Sequence, residues 1–351
     1  GKNSSPKEAD DSLQSTQFAN VLDLVSEGEI QGLDDGNKSI FFDGTPLQAA
    51  DGSYNFRDYT VVSRNGTQSQ TYIPGVFSNI ESETSVGVAV TNAAPVTRQI
   101  TDTDVDRVRV TIAVPALQRI EDDGDIVGTS VSISIQVQYN GGGFNTVKTD
   151  TISGKSSDLY QRDYLLTLSG AFPVDIKVVR NTSDSSSTKL SNDTQWQSFT
   201  SIIDAKLAYP NSALFGLRFG AAQFSNIPQR KYLIRGIKVK IPSNATVDTT
   251  THLGRITYSG VWDGTFAAAT WTNDPAWCLW DLLTNERYGA GVPEASLDRY
   301  DFFAVSQYCN ALVDDGKGGQ EPRFSCNLLI NQRKEVYNVI QEMSSIFRGS
   351  F

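Results

Sequence analysis

Between Val131 and Tyr139 the chain reads VSISIQVQY, with Val131, Ile133, Ile135, Val137 and Tyr139 at every second position. A period of two places all five on one face of an extended strand, whereas a helix would scatter them around its circumference. The next residues, Asn140–Gly141–Gly142–Gly143, reach positive φ at little cost, and Phe144–Val147 resumes an extended pattern, so a hairpin is predicted. The same alternation runs through Arg107–Ile112 and Asp175–Arg180. Repeated turns with no long helical stripe between them predict an antiparallel β-sandwich over residues 96–212, inserted between two other regions.

Upstream, residues 1–14 are polar and read as a flexible arm. From Ser15 the spacing changes: Phe18, Val21, Leu22 and Val25 fall at i, i+3, i+4 and i+7, which predicts a short helix completing an N-terminal segment over 1–28, with Ser15 as N-cap and Gly28 as stop. Such a stripe docks either on the chain's own body or on a neighbouring subunit, so these four are the candidate subunit contacts. Residues 29–95 and 213–256 carry short strands punctuated by Gly, Asp and Pro, consistent with one discontinuous β-rich domain. Residues 257–351 change character again. Asp274 and Pro275 are placed as N-cap and N1 of a helix with Ala276, Trp277, Trp280 and Leu283 on one side, and further stripes follow at 295–312 and 332–347. A short strand is expected near Phe324–Leu329. The whole reads as α+β, mostly β: antiparallel β domains, an inserted sandwich and a C-terminal part with three helices. The sequence stops at Phe351 straight after the third helical stripe, an ending expected of a segment from a longer polypeptide.

Little in this text carries chemistry. The one histidine, His252, excludes a His-cluster metal site or a paired-histidine mechanism within one chain. Cys278, Cys309 and Cys326 cannot all pair, so thiols in packing roles in a reduced compartment are expected; nothing basic adjoins Cys278 or Cys309 to activate a thiol, and these two read as small core residues. Asp122, Asp123 and Asp125 lack the twelve-residue calcium loop, and Asp314–Gly319 lacks the Gly-Lys-Ser/Thr ending of a phosphate cradle. No catalytic, cofactor or metal residue is assigned. No apolar run has the roughly 20 residues of a membrane helix. The net charge of −10 opposes wrapping of a nucleic-acid backbone, and most of it lies in residues 1–100, which hold 6 basic and 13 acidic groups.

Several tryptophan-containing words go beyond fold class. Tyr258–Phe266 reads YSGVWDGTF, Trp277–Thr284 reads WCLWDLLT, and Arg287–Gly291 reads RYGAG. With Tyr209–Leu214, Leu233–Gly236, Pro242–Asn244, Glu321–Arg323 and the early Ser15–Gln17, Ser26–Gly28 and Ile30–Gly32, these resemble the tip attachment protein J (host-specificity protein) family of lambda-like siphophages. Trp262, Asp263, Gly264, Trp277, Trp280, Tyr288 and Gly289 carry the resemblance as structural residues. It spans most of the chain and is weakest over 113–190.

The resemblance implies a virion structural protein without enzymatic activity or cofactor. It implies a homotrimer forming the central hub that closes the tail tube. Small tail-tip proteins and the tape-measure protein would be its neighbours. A host outer-membrane receptor would be reached through a C-terminal part absent here, and genome DNA would pass the lumen without sequence-specific binding. The acidic first third would then line that lumen or serve as a solubilising outer surface; the sequence leaves both open. Two other classes stay in view. A carbohydrate- or receptor-binding module would show clustered exposed aromatics on the sandwich, where Trp196 is the only tryptophan. A cell-wall hydrolase would need a carboxylate pair in a groove.

Overall fold

The computed structural model describes residues 6–251, 253–332 and 335–349, so His252 lies outside the described residues. The chain divides into two compact units, one of residues 6–18 with 74–207 and one of 19–73 with 208–349. Strands dominate and the three helices lie toward the C-terminus, which is the α+β, mostly β class expected.

The first unit is the sandwich. Its strands are β1 (Ile80–Ala89), β2 (Val96–Ile100), β3 (Arg107–Val114), β4 (Thr129–Tyr139), β5 (Asn145–Gly154), β6 (Tyr160–Thr167), β7 (Val174–Arg180) and β8 (Gln195–Ile203). They form two four-stranded antiparallel sheets, ordered β5-β4-β7-β2 and β6-β3-β8-β1. The alternation of β4 turns Val131, Ile133, Ile135 and Val137 inward, where none is more than 2% exposed. Val108, Val110 and Ile112 of β3 meet Ile133, Ile135 and Val137 from the other sheet, and Val174, Ile176 and Val178 of β7 join the same core from β4's own sheet. Burying each such side chain contributes about 1.5–3 kcal/mol relative to leaving it in water. In β8 the register shifts between Trp196 and Ser198. That extra residue changes the phase of the pleat, so Trp196 and Phe199 both face the core. Whereas the sequence places 80–89 with the preceding β-rich domain, β1 pairs along β8, from Ile203↔Ile80 to Gln195↔Ala89. The sandwich thus begins upstream of residue 96.

The arm does not behave as its polar composition predicts. Residues 6–15 lie along the sandwich, with Ala9 N–H donating to Ile126 O at 2.9 Å and Ser12 and Leu13 N–H both donating to Lys155 O at 3.0 Å. Leu13 packs on a second apolar cluster that includes Leu117, Val131 and Ile152.

The second unit contains the clearest correction. Phe18–Glu27 is a ten-residue strand, not a helix, at the edge of a three-stranded sheet with Ser212–Gly220 in the middle and Tyr59–Asn65 beyond. FANVLDLVSE satisfies a helical stripe and an alternating strand equally. An isolated helix of this length is marginal, and Asn20, Asp23, Ser26 and the two valines favour it weakly. The neighbouring Ser212–Gly220, with Ala213, Leu214, Phe215, Leu217 and Phe219 all buried, supplies a ladder and an apolar surface that decide the matter.

Downstream, the three expected helices form: α1 (Pro275–Thr284), α2 (Arg299–Asn310) and α3 (Val336–Ile346). Asp274 caps α1 by accepting Trp277 N–H, with Pro275 at N1, and Asp298 caps α2 by accepting the N–H groups of Tyr300 and Asp301. The expected strand at Phe324–Leu329 does not form. Leu312–Asp314 pairs instead with Gln320–Pro322, across a turn in which the Asp315 carboxylate accepts the N–H groups of Lys317 and Gly319. That register ends the ladder at Pro322, and residues 324–329 are held by single bonds such as Cys326 N–H to Asn273 O at 2.7 Å.

A tryptophan-rich core and a candidate assembly strand

The tryptophan words converge on one cluster. Trp262, Trp277 and Trp280 are at most 5% exposed and pack with Val239, Ile241 and Ile256. Trp262 meets Trp277 edge-to-face at 5.9 Å and stacks on Phe303 of α2 at 5.1 Å, while Trp280 meets Phe302 edge-to-face at 5.1 Å. Offset and T-shaped contacts of this kind add about 0.5–1.5 kcal/mol each beyond area burial. The indole N–H groups of Trp262 and Trp277 find acceptors, whereas that of Trp280 is buried without a partner. Trp277 Nε1–H donates to Tyr258 Oη at 2.8 Å, Tyr258 and Ser306 share a hydroxyl contact of 2.5 Å, and Ser306 O–H donates to Asp274 at 2.6 Å. Burial pushes the Asp274 carboxyl above the usual carboxylate range, against the pull of Ser306, Trp277 and Asn310, which all donate to it.

Each remaining motif residue has a local reason. Asp263 accepts from Thr265 N–H at 2.9 Å and Thr265 O–H at 2.6 Å, closing the WDGT turn. Gly264 sits at φ +84, and a Cβ there would come within 2.8 Å of Tyr300 Oη. Tyr288 O–H donates to Asp281 at 2.7 Å, and burial raises the Asp281 carboxyl. A side chain on Gly289 would meet the Leu282 carbonyl oxygen at 2.3 Å, so this position holds the turn after α1 against the helix. Of these motif residues, Trp262, Trp277 and Trp280 sit in the buried cluster, while Asp263 is exposed in the turn it closes.

The four candidate contacts are split by the pleat. Val21 and Val25 face the unit's own core, Val21 beside Ile40, Leu217 and Phe219 and Val25 beside Ala213 and Phe215. Phe18 and Leu22 fall on the opposite face, joined by Leu24, which is 65% exposed. Leu24 was hidden in the helical reading; its signal is the alternation of Phe18, Asn20, Leu22 and Leu24. Asp23, on the inner face, accepts two hydrogen bonds from Arg230 at 2.6 and 2.9 Å and one from Tyr232 at 2.5 Å. Arg230 and Tyr232 outweigh burial and hold its carboxyl below the usual range, so charge ties this strand to Arg230–Tyr232, a strand of a different sheet that pairs with Ile40–Phe42. On the sandwich, Trp196 is fully buried and donates through Nε1 to Ser198 O at 2.8 Å. It therefore contributes no exposed aromatic platform. Among the described residues no group of three or more His, Cys, Asp or Glu stands in metal-binding array.

The family model for the FNIII-A domain of tip attachment protein J matches residues 80–205, from the first residue of β1 to just past β8. The class so defined is a phage tail protein carrying a β-sandwich of that type between flanking β and α+β segments. Tip attachment protein J of Escherichia phage SECphi4 is 41% identical over 356 residues, covering 99% of this chain and 30% of the relative. That of Escherichia phage SECphi27 is 36% identical over 348 residues, covering 98% and 28%. The chain belongs to the tip attachment protein J family, and it spans less than a third of the length of these relatives. Some solved structures match part of the chain at low similarity. Eiger TNF from S. frugiperda (TM-score 0.17, 13% identity) and a CBM4 structure (TM-score 0.18, 10% identity) cover 46% and 58% of this chain and 93% of their own.

Proposed function

We propose that this chain is the hub-forming segment of a phage tail-tip protein. Three copies assemble around the tail axis, close the tube, anchor the distal receptor-binding part and open for genome ejection. The observation that carries the reading is the 41% identity to a tip attachment protein J over 99% of the chain. The physical character of the chain supports it. Its functional words are spent on packing, and its edge strand Phe18–Glu27 presents an apolar outer face suited to a subunit contact, with Phe18, Leu22 and Leu24 as the contact residues in place of the four-residue stripe. Neighbours in this reading are the small tail-tip proteins and the tape-measure protein. The host outer-membrane receptor is engaged by sequence outside these residues.

Residues 1–100 carry 6 basic against 13 acidic groups, and three copies would treble that excess around the axis. Placed on the lumen, such a surface repels DNA and lets the genome slide. Ejection kinetics of particles with the acidic groups neutralised, followed over a range of salt, test this placement; unchanged rates remove it. The hub reading itself is tested by counting copies in purified tail tips. Three is expected, and any other number overturns it.

A further inference from the structure

Two of the three thiols meet at α1. Cys278 sits on that helix and Cys326 in the segment 324–329, and both pack in one cluster with Leu279, Leu283 and Met343. Adjacent carbonyls fix the pair. Cys326 N–H donates to Asn273 O at 2.7 Å, and Cys278 Sγ lies 3.7 Å from Thr272 O. From these anchors the side chains reach each other, and the Cys278 thiol donates to Cys326. That contact holds the Cys326 thiol below its ordinary range, against burial and the charge of Asp274. The same contact, with burial adding to it, pushes the Cys278 thiol well up. Cys309 stands apart: burial pushes it up to about 12, and the charges that act on it are those of Asp274 and Arg323.

Access to this pair comes from the 324–329 side. Residues 324–331 form neither strand nor helix, and residues 325 and 327–330 are exposed on either side of Cys326, itself 7% exposed. Local opening of a stretch held by single backbone bonds brings its buried sulfur to solvent while the tryptophan-rich core stays folded. The thiolate is the reactive form, and Cys326, the lowered member of the pair, supplies it.

We propose that Cys278 and Cys326 are a redox-active pair that reacts with a small-molecule disulfide and closes a bond between α1 and the 324–329 segment. The Cys326 thiolate attacks one sulfur of R–S–S–R, which breaks that bond and releases R–S⁻ to take up a proton. The Cys278 thiol then gives its proton to solvent, and its sulfur displaces the second R–S⁻ from Cys326. Two protein thiols are oxidised to one disulfide while one R–S–S–R is reduced to two R–SH. The bond closes when the chain passes from a reducing compartment to an oxidising medium, whatever the number of subunits.

The test uses the full chain, purified reduced and equilibrated over a range of ratios of oxidised to reduced glutathione. After acid quenching, N-ethylmaleimide under denaturing conditions counts the remaining thiols by mass. Trypsin places the three cysteines in separate peptides, 256–287, 300–317 and 324–333. At oxidising ratios the expected result is one maleimide in place of three, carried by Cys309, with peptide 256–287 joined to 324–333. Cys278→Ser should retain glutathione on Cys326 as a mixed disulfide, whereas Cys326→Ser should retain little on Cys278. Three maleimides at every ratio, or a bond that includes Cys309, overturns the proposal. Glutathione held by Cys278 in preference to Cys326 overturns the order of attack. The unsubstituted chain alone can deliver the first two of these results, so the proposal stays refutable even where a serine variant fails to fold.

Discussion

Replacing Asp274 with alanine isolates what the tryptophan-rich core depends on. Its carboxylate is 2% exposed, caps α1 through Trp277 N–H at 2.8 Å and accepts Ser306 O–H at 2.6 Å, with Asn310 Nδ2 as a third donor. Loss of an N-cap costs about 1 kcal/mol. Each buried donor stranded beside the vacancy adds about 1–3 kcal/mol, and relaxation keeps these from summing fully. The expected loss is about 3–5 kcal/mol. In a unit of this size each kcal/mol is roughly 2–4 °C, so the transition should fall by on the order of 10 °C. Near-UV circular dichroism and tryptophan fluorescence report it directly, since Trp262, Trp277 and Trp280 share the cluster that Asp274 braces. Asp274→Asn keeps a capping oxygen and should lose about half as much. A melting temperature for Asp274→Ala within about 2 °C of the parent, or a worse outcome for asparagine than for alanine, would refute the reasoning.

Other outcomes follow from the same contacts. Arg180→Met should destabilise the sandwich by about 2–4 kcal/mol in denaturant titration, because a 3% exposed guanidinium that donates to Asn192 O, Asn192 Oδ1 and Thr194 Oγ1 would leave those acceptors dry. Leu24→Lys should reduce oligomer mass while the far-UV spectrum stays unchanged; a normal oligomer would take the outer face of this strand out of the interface. The arm should loosen in acid. The hydrogen bond and charge of Lys155 hold the Glu8 and Asp11 carboxyls below their usual values. Their stabilisation is complete above the ordinary carboxylate range of about 4 and is lost as pH falls through the lowered values. Protection factors against hydrogen exchange at Ala9, Ser12 and Leu13, corrected for the intrinsic pH dependence, should therefore fall only in that acidic window, and the raised Lys155 ammonium adds no change near neutrality.

What was legible in the sequence was local. Asp274–Pro275 with the stripe Ala276, Trp277, Trp280 and Leu283 placed α1, since cap, N1 proline and apolar face all lie within ten residues. The alternation of β4 and its glycine turn placed the heart of the sandwich. Partners distant in sequence escaped. Phe18–Glu27 becomes a strand because Ser212–Gly220 lies beside it, and no spacing within 18–27 records that. The arm reads as a polar tail because its lysine partner stands 144 positions from Asp11. Residues 80–89, exposed along nearly their whole length, join the sandwich through backbone pairing with β8 and so show little apolar signal. Tyr288 and Gly289 were found as words, but their reasons, Asp281 and the Leu282 carbonyl, became visible only in three dimensions.

The central claim concerns assembly, and mass tests it most directly. Native mass measurement of the purified chain should give a species of about 115 kDa, three times the 38.3 kDa chain. It should dissociate when Phe18, Leu22 and Leu24 are replaced together by polar residues. A monomer across the micromolar range, or a stable dimer or tetramer, would contradict the trimeric hub.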